Sequence, residues 1–268
     1  MIELERVSVS YPGGVQALKP TSLQFQRGEI TVLLGPSGAG KSSLLRSINR
    51  LVEPATGSIR SAANGAIEGG AALRNHRRDT AMVFQQHQLI GRLSALRNVL
   101  TGRLAHHSGW RTLLPFGIAD RRLALHCLER VDLLPLALRR ADSLSGGQQQ
   151  RVGIARALAQ QPSLILADEP VASLDPATAA NILRLLHDIC KSDGIAAVVS
   201  LHQVQLARQF GDRIVGIAAG SVVYDGSAEG LSEPHLARIY RQSAPGADMA
   251  PAATGERSGI RTPALAME

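Results

Sequence analysis

The strongest constraint on the fold is a glycine-rich segment that lies between an apolar run and a helix-like run. It reads Gly35-Pro36-Ser37-Gly38-Ala39-Gly40-Lys41-Ser42, after the strand-like run 30–34 and before the helix-like run 41–51. The spacing GxxxxGK[ST] in a strand-loop-helix context is that of a phosphate-binding P-loop. Glycines allow consecutive N–H groups to face phosphate oxygens, and the helix N-terminus adds a partial positive charge. The segment therefore predicts an α/β fold with a nucleotide site.

Two side chains of this segment complete the predicted site. Lys41 supplies a full positive charge to the phosphates, and the hydroxyl of Ser42 is placed to ligate Mg²⁺. A glycine-rich turn that starts a helix without binding anything is the alternative. We favour the P-loop because every fixed position of the pattern is filled and the flanking runs are of the right type.

A second glycine-rich loop follows more than 100 residues later. This 144–151 loop reads Leu144-Ser145-Gly146-Gly147-Gln148-Gln149-Gln150-Arg151 and opens the helix-like run 147–159. Its serine and glycine amides could receive phosphate at a helix N-terminus, although a plain helix cap would show a similar sequence pattern. Because the chain is equipped for only one nucleotide, we expect the two loops to serve a shared site.

An acidic pair ends an apolar strand shortly after this loop. The run 163–167 is followed by Asp168 and Glu169. Such a strand places two carboxylates at the carboxyl edge of a buried sheet, where α/β folds bind ligands. Their natural roles are Asp168 on Mg²⁺ through water and Glu169 polarising the attacking water.

The order of the motifs resembles that of the nucleotide-binding subunit of ABC transporters. The P-loop, Gln85, the 144–151 loop, Asp168-Glu169, the segment 173–175 and His202 follow one another over roughly residues 1 to 243. The resemblance implies a P-loop NTPase with a RecA-like mixed sheet, an antiparallel β subdomain and an inserted α-helical subdomain. It also implies ATP and Mg²⁺ as cofactors, and a head-to-tail homodimer in which each ATP lies between the P-loop of one copy and the 144–151 loop of the other.

The resemblance further implies a role for each motif residue. Catalytic roles fall to Glu169, His202 and Gln85, and metal contacts to Ser42, Gln85 and Asp168. Nucleotide contacts fall to Tyr11, Gly35, Pro36, Ser37, Gly38, Ala39, Gly40, Lys41, Ser42, Ser43, Ser145, Gly146, Gly147, Gln148 and Asp175.

Four isolated residues also have a simpler interpretation. Tyr11 would stack on adenine, or be a half-buried strand aromatic. Gln85 would contact the metal and report to the membrane partner, or belong to a merely polar loop. Asp175 would communicate across the dimer, and equally caps a helix that begins at Pro176. His202 follows the apolar run 195–201, so we expect it at a strand end near the γ-phosphate rather than in a structural role.

Several local strings resemble the phosphonate-importer branch of this family. They are the segments 45–51, 83–89, 169–175 and 201–204, and the insert 109–116 that contains Trp110. This resemblance implies an ATPase that drives import of phosphonates, phosphite or organophosphates through two transmembrane permease subunits, supplied by an extracytoplasmic phosphonate-binding protein. Ser43 stands where Thr is common, and Ser200 where Asn is common. We expect neither to touch the core chemistry.

Other members of the superfamily remain as alternatives. A soluble ABC ATPase acting on DNA would need a long heptad-bearing insertion, and a ribosomal one usually has two cassettes; the chain has neither feature. A transporter of polar amino acids, an exporter or a cell-division complex would keep the same ATPase chemistry. The string Pro170-Val171-Ala172-Ser173 argues modestly against these.

Composition limits the cellular locations and the classes of partner that are expected for the chain. The formal net charge of the 268 residues is +7, but with four Phe, three Tyr and one Trp there is little material for base stacking, so we expect no nucleic-acid partner. No apolar run approaches about 18 residues and the N-terminus does not resemble a signal peptide. We therefore expect a peripheral protein on the cytoplasmic face of the inner membrane, with membrane contact through the permease. Cys127 and Cys190 lack metal-ligand spacing, which favours ordinary packing.

The chain is expected to form one nucleotide-binding domain over residues 2–243. Its core would cover about 1–93 and 161–243, and the helical subdomain about 94–160. The glycines in 56–84 favour an antiparallel edge rather than long helices, and the basic cluster 74–78 favours solvated surface. Residues 244–268 are rich in Pro, Gly, Ala and Thr and are predicted to be a loose tail.

Overall fold

The fold is α/β and is built on two sheets. The computed structural model describes residues 1–63, 65–85, 88–107 and 114–240. The smaller sheet is antiparallel, with strand order β2-β1-β4-β5. Its strands are β1 (Ile2–Tyr11), β2 (Val15–Phe25), β4 (Thr56–Ser61) and β5 (Gly65–Ala66). This sheet is the predicted antiparallel β subdomain.

The larger sheet has the strand order β10-β9-β3-β8-β7-β6. Its strands are β3 (Ile30–Leu34), β6 (Thr80–Phe84), β7 (Leu164–Asp168), β8 (Ala196–Leu201), β9 (Arg213–Ala218) and β10 (Ser221–Ser227). All neighbours pair in parallel except β9 and β10, which form a hairpin across Ala219 and Gly220, both with positive φ. The mixed sheet confirms the predicted fold class.

The helices alternate with the strands of the larger sheet, apart from a helical block between β6 and β7. They are α1 (Lys41–Ile48), α2 (Gly69–Asp79), α3 (Ala95–Leu100), α4 (Ile118–Arg130), α5 (Gly146–Ala159), α6 (Pro176–Asp193), α7 (Val204–Phe210) and α8 (Glu233–Tyr240). A 3₁₀ helix over Thr101–His106 extends α3. The block with α3, α4 and α5 corresponds to the predicted helical subdomain, and its exact boundaries stay a prediction.

Successive residues of the central strands face two different hydrophobic clusters. Val32 and Leu34 pack with α3 to α8, whereas Leu33 packs with α1 and the strands of the smaller sheet. Because side chains alternate along a strand, a strand that is covered on both faces reads as an unbroken apolar run. All five residues of β3 and all five of β7 are buried for this reason. The two layers hold the carboxyl ends of these strands in place.

The helical block is tied to the larger sheet through the residue that follows α5. The side-chain amide of Gln160 donates to the carbonyl oxygens of Arg77, Arg78 and Thr80 over 2.6, 2.8 and 3.1 Å. Nearby, Arg103 donates to the carbonyl oxygen of Ala159 over 3.0 Å. These bonds connect the end of α5 with the junction between α2 and β6.

The structure corrects three expectations about local structure. The segment 56–84 is only partly an antiparallel edge, because it also contains α2 and β6, a strand that pairs in parallel with β7 at the edge of the larger sheet. His76 of the basic cluster is not solvated surface: it is 1% exposed and its Nε2 lies 2.8 Å from the carbonyl oxygen of Ile48. The helix predicted over 41–51 ends at Ile48, since Arg50 has a positive φ of 53° that turns the chain away.

Two predicted features lie outside the described residues. These are Trp110 and the segment 244–268. Within the described residues, no helix combines the length and the apolar character that are needed to cross a membrane. Cys127 in α4 and Cys190 in α6 are free and buried, as ordinary packing predicts.

Candidate active site

The P-loop runs so close to two strands that glycine is needed at its ends. A Cβ on Gly35 would overlap the carbonyl oxygen of Ile217 in β9, and a Cβ on Gly40 would overlap that of Ala17 in β2. Gly40 also has a φ of 108°, which L-residues rarely adopt. It is the N-cap of α1 and carries no side chain that could bond to the first N–H groups of that helix. Those groups are therefore available to an anion at the helix N-terminus.

Lys41 is folded back over the loop that precedes it. Its Nζ donates to the carbonyl oxygens of Gly35 and Pro36 over 2.7 and 2.9 Å and lies 3.8 Å from Oε1 of Glu169. The side chain is 3% exposed. Burial lowers the pKa of the Lys41 ammonium, while the carboxylates of Glu169 and Asp168 act in the opposite direction. The ammonium thus faces both the loop and the acidic pair.

Ser42 and Asp168 are in contact at the edge of the larger sheet. The Ser42 hydroxyl donates to Oδ1 of Asp168 over 2.7 Å, and Oδ2 lies 3.8 Å from the guanidinium of Arg46, which the sequence analysis did not single out. A hydroxyl beside a carboxylate is a set of hard oxygen donors of the kind that Mg²⁺ accepts alongside phosphate oxygens. The described residues contain no group of three or more His, Cys, Asp or Glu that could hold a metal by themselves.

Glu169 leaves β7 through an unusual backbone conformation. Its φ is 46°, and its N–H donates to Oγ of Ser200 over 2.8 Å. The Ser200 hydroxyl donates in turn to Oδ1 of Asp168 over 3.0 Å. The expectation that Ser200 lies away from the core chemistry is therefore wrong. The register of β7 and β8, in which Ala167 pairs with Val199, brings Ser200 beside Asp168.

Gln85 and His202 lie at the same sheet edge as the acidic pair. Gln85 directly follows β6, whose last residue Phe84 pairs with Asp168, and His202 directly follows β8. Both side chains are exposed. The structure thus places His202 at the end of the strand beside β7, as predicted, and Gln85 at the end of the strand on the other side of β7.

Tyr11 lies at the end of β1 beside the P-loop helix. It is half-buried, and its hydroxyl lies 3.2 Å from Oγ of Ser43 in α1. The half-buried aromatic that the simpler interpretation predicts is therefore present. The contact with Ser43 also places the ring next to the nucleotide loop, so the adenine role stays a prediction that the position permits.

The 144–151 loop is a well-formed helix cap. Ser145 is the N-cap of α5: its Oγ accepts the N–H of Gln148 over 3.3 Å, and Oε1 of Gln148 accepts the N–H of Ser145 over 3.0 Å. This reciprocal capping box satisfies two of the N–H groups at the helix start. Ser145 and Gln148 belong to the lining of an open depression of about 290 Å³. None of the described residues that line it comes from the P-loop of the same chain.

Asp175 is also a helix cap, as its simpler interpretation predicts. Its Oδ1 accepts the N–H of Thr178 over 3.0 Å at the start of α6, and the hydrogen bonds from Thr178 lower the pKa of the Asp175 carboxyl. The helix starts lie side by side, because a Cβ on Gly147 would be 2.8 Å from Cγ2 of Thr178. Asp175 therefore borders the 144–151 loop.

Comparison with known proteins gives a consistent result. Residues 18–172 match the family described as ABC transporter. The chain is 62% identical to a phosphite import ATP-binding protein of Stutzerimonas stutzeri over 90% of this chain and 87% of the relative. It is 59% identical to a phosphonates import ATP-binding protein of Nostoc over 90% and 92% of the two chains. A dimeric ATP-binding cassette in a post-hydrolysis state, bound to ADP and Pi, is similar with a TM-score of 0.75 and 37% identity, over 86% of this chain and all of that one.

Proposed function

The chain belongs to the ABC transporter family as an ATP-hydrolysing subunit, and from that premise we propose that it drives the import of phosphonates or phosphite. The observation that carries the catalytic part is the meeting of the P-loop with the acidic pair: Ser42 on Asp168 at 2.7 Å, and Lys41 at 3.8 Å from Glu169. A phosphate-binding loop that touches two carboxylates has the parts that phosphoryl transfer requires, namely positioning and electrostatic stabilisation.

The P-loop residues 35–43 hold the ATP phosphates and Tyr11 holds the adenine. In the structure the Lys41 ammonium is bonded to two backbone carbonyls of its own loop. Phosphate oxygens compete with those carbonyls for the ammonium, since an anionic acceptor makes the stronger hydrogen bond. When ATP binds, the Lys41 ammonium therefore exchanges its hydrogen bonds to the carbonyl oxygens of Gly35 and Pro36 for bonds to phosphate oxygens.

Ser42, Asp168 and Gln85 are the residues that would hold Mg²⁺. The ion, when bound, neutralises charge on the β- and γ-phosphates. The pairing of the Ser42 hydroxyl with the Asp168 carboxylate supports this assignment, because it brings two of the proposed ligand oxygens within 2.7 Å of each other.

Glu169 acts as the general base that takes a proton from the attacking water. Its side chain is 21% exposed, so the carboxylate is accessible to water and still close to Lys41. His202 and Gln85, at the ends of the two strands that flank β7, orient the γ-phosphate and the water. A base placed within reach of water and of the phosphate is what hydrolysis needs.

Two copies of the chain form the complete site. Ser145, Gly146, Gly147, Gln148 and Asp175 of one copy meet the ATP held on the P-loop of the other. The open depression at Ser145 supports this arrangement, because its lining includes none of the P-loop of its own chain among the described residues. ATP contacts that exist only in the closed dimer shift the population toward closure, and hydrolysis reverses the shift.

The dimer works with two permease subunits and with an extracytoplasmic binding protein, from the cytoplasmic face of the inner membrane. The names of the similar proteins support phosphonates and phosphite as cargo. The cargo does not meet this subunit, so its identity is decided by the binding protein and the permease.

Growth on a single phosphorus source tests the proposal. A strain that lacks this chain is complemented with the wild-type chain or with Lys41→Ala, and is grown on methylphosphonate, on phosphite or on inorganic phosphate. We expect the wild-type chain alone to restore growth on one or both of the first two sources, with equal growth of all strains on phosphate. Unimpaired growth of the deletion strain on both methylphosphonate and phosphite would overturn the proposed cargo.

A further inference from the structure

Ser200 lies at the point where the pairing of β7 with β8 stops. The last paired residues are Ala167 and Val199, and Ser200 is the next residue of β8, with a side chain that is 0% exposed. Glu169 lies beyond the paired part of β7, and its φ of 46° turns the chain out of the strand. Its N–H is bonded to the Ser200 hydroxyl, which takes the place of a partner in the sheet.

A single hydroxyl therefore serves both members of the acidic pair. The Ser200 oxygen accepts from the N–H of Glu169 at 2.8 Å, and its one proton is donated to Oδ1 of Asp168 at 3.0 Å. The carbonyl oxygen of Ala167 is farther, at 3.5 Å. Bonds to a carboxylate are the stronger ones, so the proton goes to Asp168. The hydroxyl thus fixes a side chain and a backbone at the same time.

The bond to Asp168 matters because the other donor to the same oxygen is Ser42. Oδ1 of Asp168 accepts from Ser42 over 2.7 Å as well as from Ser200. Ser42 is the hydroxyl that would move to Mg²⁺ in the proposed site. Ser200 is then the donor that continues to orient Asp168.

The bond to Glu169 matters because the backbone there is strained. A left-handed conformation in a residue other than glycine is unfavourable and persists only where the surroundings impose it. The N–H bond to Ser200 is one such constraint, and it sets the direction in which the Glu169 side chain leaves the backbone. Without it, the N–H of Glu169 would lack this partner and the carboxylate would lose its fixed orientation.

We propose that Ser200 is a positioning residue for ATP hydrolysis, whose hydroxyl holds Asp168 and Glu169 in the arrangement that hydrolysis requires. The proposal rests on the roles given above to these two carboxylates. Ser200 is 0% exposed and acts through its bonds to Asp168 and Glu169, so we expect its loss to lower turnover and not ATP affinity.

A matched pair of variants isolates the hydroxyl. Ser200→Thr keeps it and Ser200→Val replaces it with a methyl group of nearly the same shape. In the full-length chain we expect Ser200→Val to lower kcat for ATP by roughly 10- to 100-fold, as is usual for residues that orient ligands of a site. KM for ATP should change by less than about 3-fold, and Ser200→Thr should retain most of the wild-type kcat. A Val variant with the kcat of the Thr variant would overturn the proposal.

Ser200→Ala separates the loss of the hydroxyl from steric crowding, because Thr and Val each add a methyl group at a buried position. The Ala variant adds no atom, so wild-type kcat in that variant would also overturn the proposal. Thr31→Val is the control: Thr31 is a buried hydroxyl on β3 whose bond goes to Glu29, and we expect it to leave kcat unchanged.

Amide hydrogen exchange gives a readout that needs neither ATP nor metal. In peptides that cover residues 167–173 of the nucleotide-free chain, Ser200→Val and Ser200→Ala should speed exchange at Glu169, while Ser200→Thr and Thr31→Val should not. Unchanged exchange in both hydroxyl-free variants would contradict the positioning contact. If Glu169→Gln keeps full turnover, the assignment of the base fails instead, so the two failures are distinguishable.

Discussion

The hydroxyl of Ser42 and the carboxylate of Asp168 form a hydrogen bond of 2.7 Å, although 126 residues separate them in the chain. The contact exists because β3 and β7 run in parallel with only β8 between them, so both end at the same edge of the sheet. The P-loop and the acidic strand are thus joined by a direct protein contact. Preorganisation of this kind removes part of the entropic cost of assembling the site.

Glu169→Gln should abolish turnover and retain ATP binding. The amide has the shape of the carboxylate but cannot take a proton, so kcat should fall by about 10²-fold or more. Phosphate release measures turnover, a fluorescent ATP analogue measures affinity, and light scattering measures dimer formation. We expect the variant to accumulate ATP-bound dimers. Rapid multiple turnover by the purified variant would refute the role given to Glu169.

Lys41→Ala should lose nucleotide affinity as well as hydrolysis. The substitution removes the buried ammonium that faces both the P-loop carbonyls and Glu169. Hydrogen bonds to charged groups are worth about 1.5–3 kcal/mol, which corresponds to a loss of affinity of roughly 10- to 100-fold. Equilibrium binding of a fluorescent ATP analogue checks the change, with Lys19→Ala, an exposed lysine, as the control. Equal affinity of the two variants would contradict the assignment.

Gly40→Ala should disturb the P-loop far more than Gly38→Ala. Both glycines have positive φ, but a Cβ at position 40 would overlap the carbonyl oxygen of Ala17, whereas position 38 has open space around it. Gly38→Ala should therefore show only the backbone strain, about 1–2 kcal/mol in the free energy of unfolding. Gly40→Ala adds a steric overlap and should also lose ATP binding. Thermal unfolding and nucleotide binding check both variants, and similar behaviour of the pair would be evidence against the close packing of β2 on the loop.

Asp120→Asn should destabilise the helical block in a pH-dependent way. Asp120 accepts from Nε of Arg103 and lies beside Nε2 of His107, each at 2.9 Å. Burial works to raise the pKa of the Asp120 carboxyl, but these hydrogen bonds outweigh it and hold the pKa below its ordinary value of 3.8. A depressed pKa in the folded state means that the stabilisation is complete above that ordinary value and is lost as the pH falls through the lower, folded-state pKa.

At neutral pH we therefore expect Asp120→Asn to lower the free energy of unfolding by about 1.5–3 kcal/mol. The difference in stability from the wild-type chain should begin to shrink as the pH falls below 3.8 and should vanish below the lower, folded-state pKa of Asp120. Asp188→Asn, at an exposed ion pair with His187, is the control and should change the stability by less than about 0.5 kcal/mol. Denaturant unfolding at a series of pH values measures the free energy of unfolding of each variant. A difference between Asp120→Asn and the wild-type chain that grows as the pH falls would contradict the predicted direction of the pH dependence.

The two cysteine thiols should be unreactive in the folded chain. Burial raises the pKa of Cys127 to about 11 and that of Cys190 to about 12. The thiolate is the reactive form, so at mildly alkaline pH almost none is present. A thiol reagent should label the two cysteines only after denaturation. Labelling of the native chain at the rate of a free thiol would show that one of the two is accessible.

The local motifs were predictable from the sequence because neighbouring residues determine them. The P-loop requires glycines within one short segment, and the Asp175 cap requires only the Thr178 N–H three residues away. Among the expectations that the structure corrects, those on α2 with His76 and on Ser200 failed because they depend on distant contacts. The helix α2 begins with Gly69-Gly70, which is typical of a turn, and is fastened by the bond of His76 to Ile48, 28 residues away. Ser200 reads as one small residue in an apolar strand, and its partners lie 31 and 32 residues earlier, brought near only by the β7–β8 register.

Because Gln160 is anchored by hydrogen bonds, a rotation of α5 about this end displaces the residue at its other end. The 14 residues of α5 span about 21 Å, with Ser145 at one end and the three carbonyl bonds of Gln160 at the other. A tilt of α5 by about 10° around its Gln160 end would move Ser145 by about 4 Å, which is more than the length of a hydrogen bond. A small rotation at the far end of the helix would thus displace Ser145 far enough to make or break a hydrogen bond at the near end.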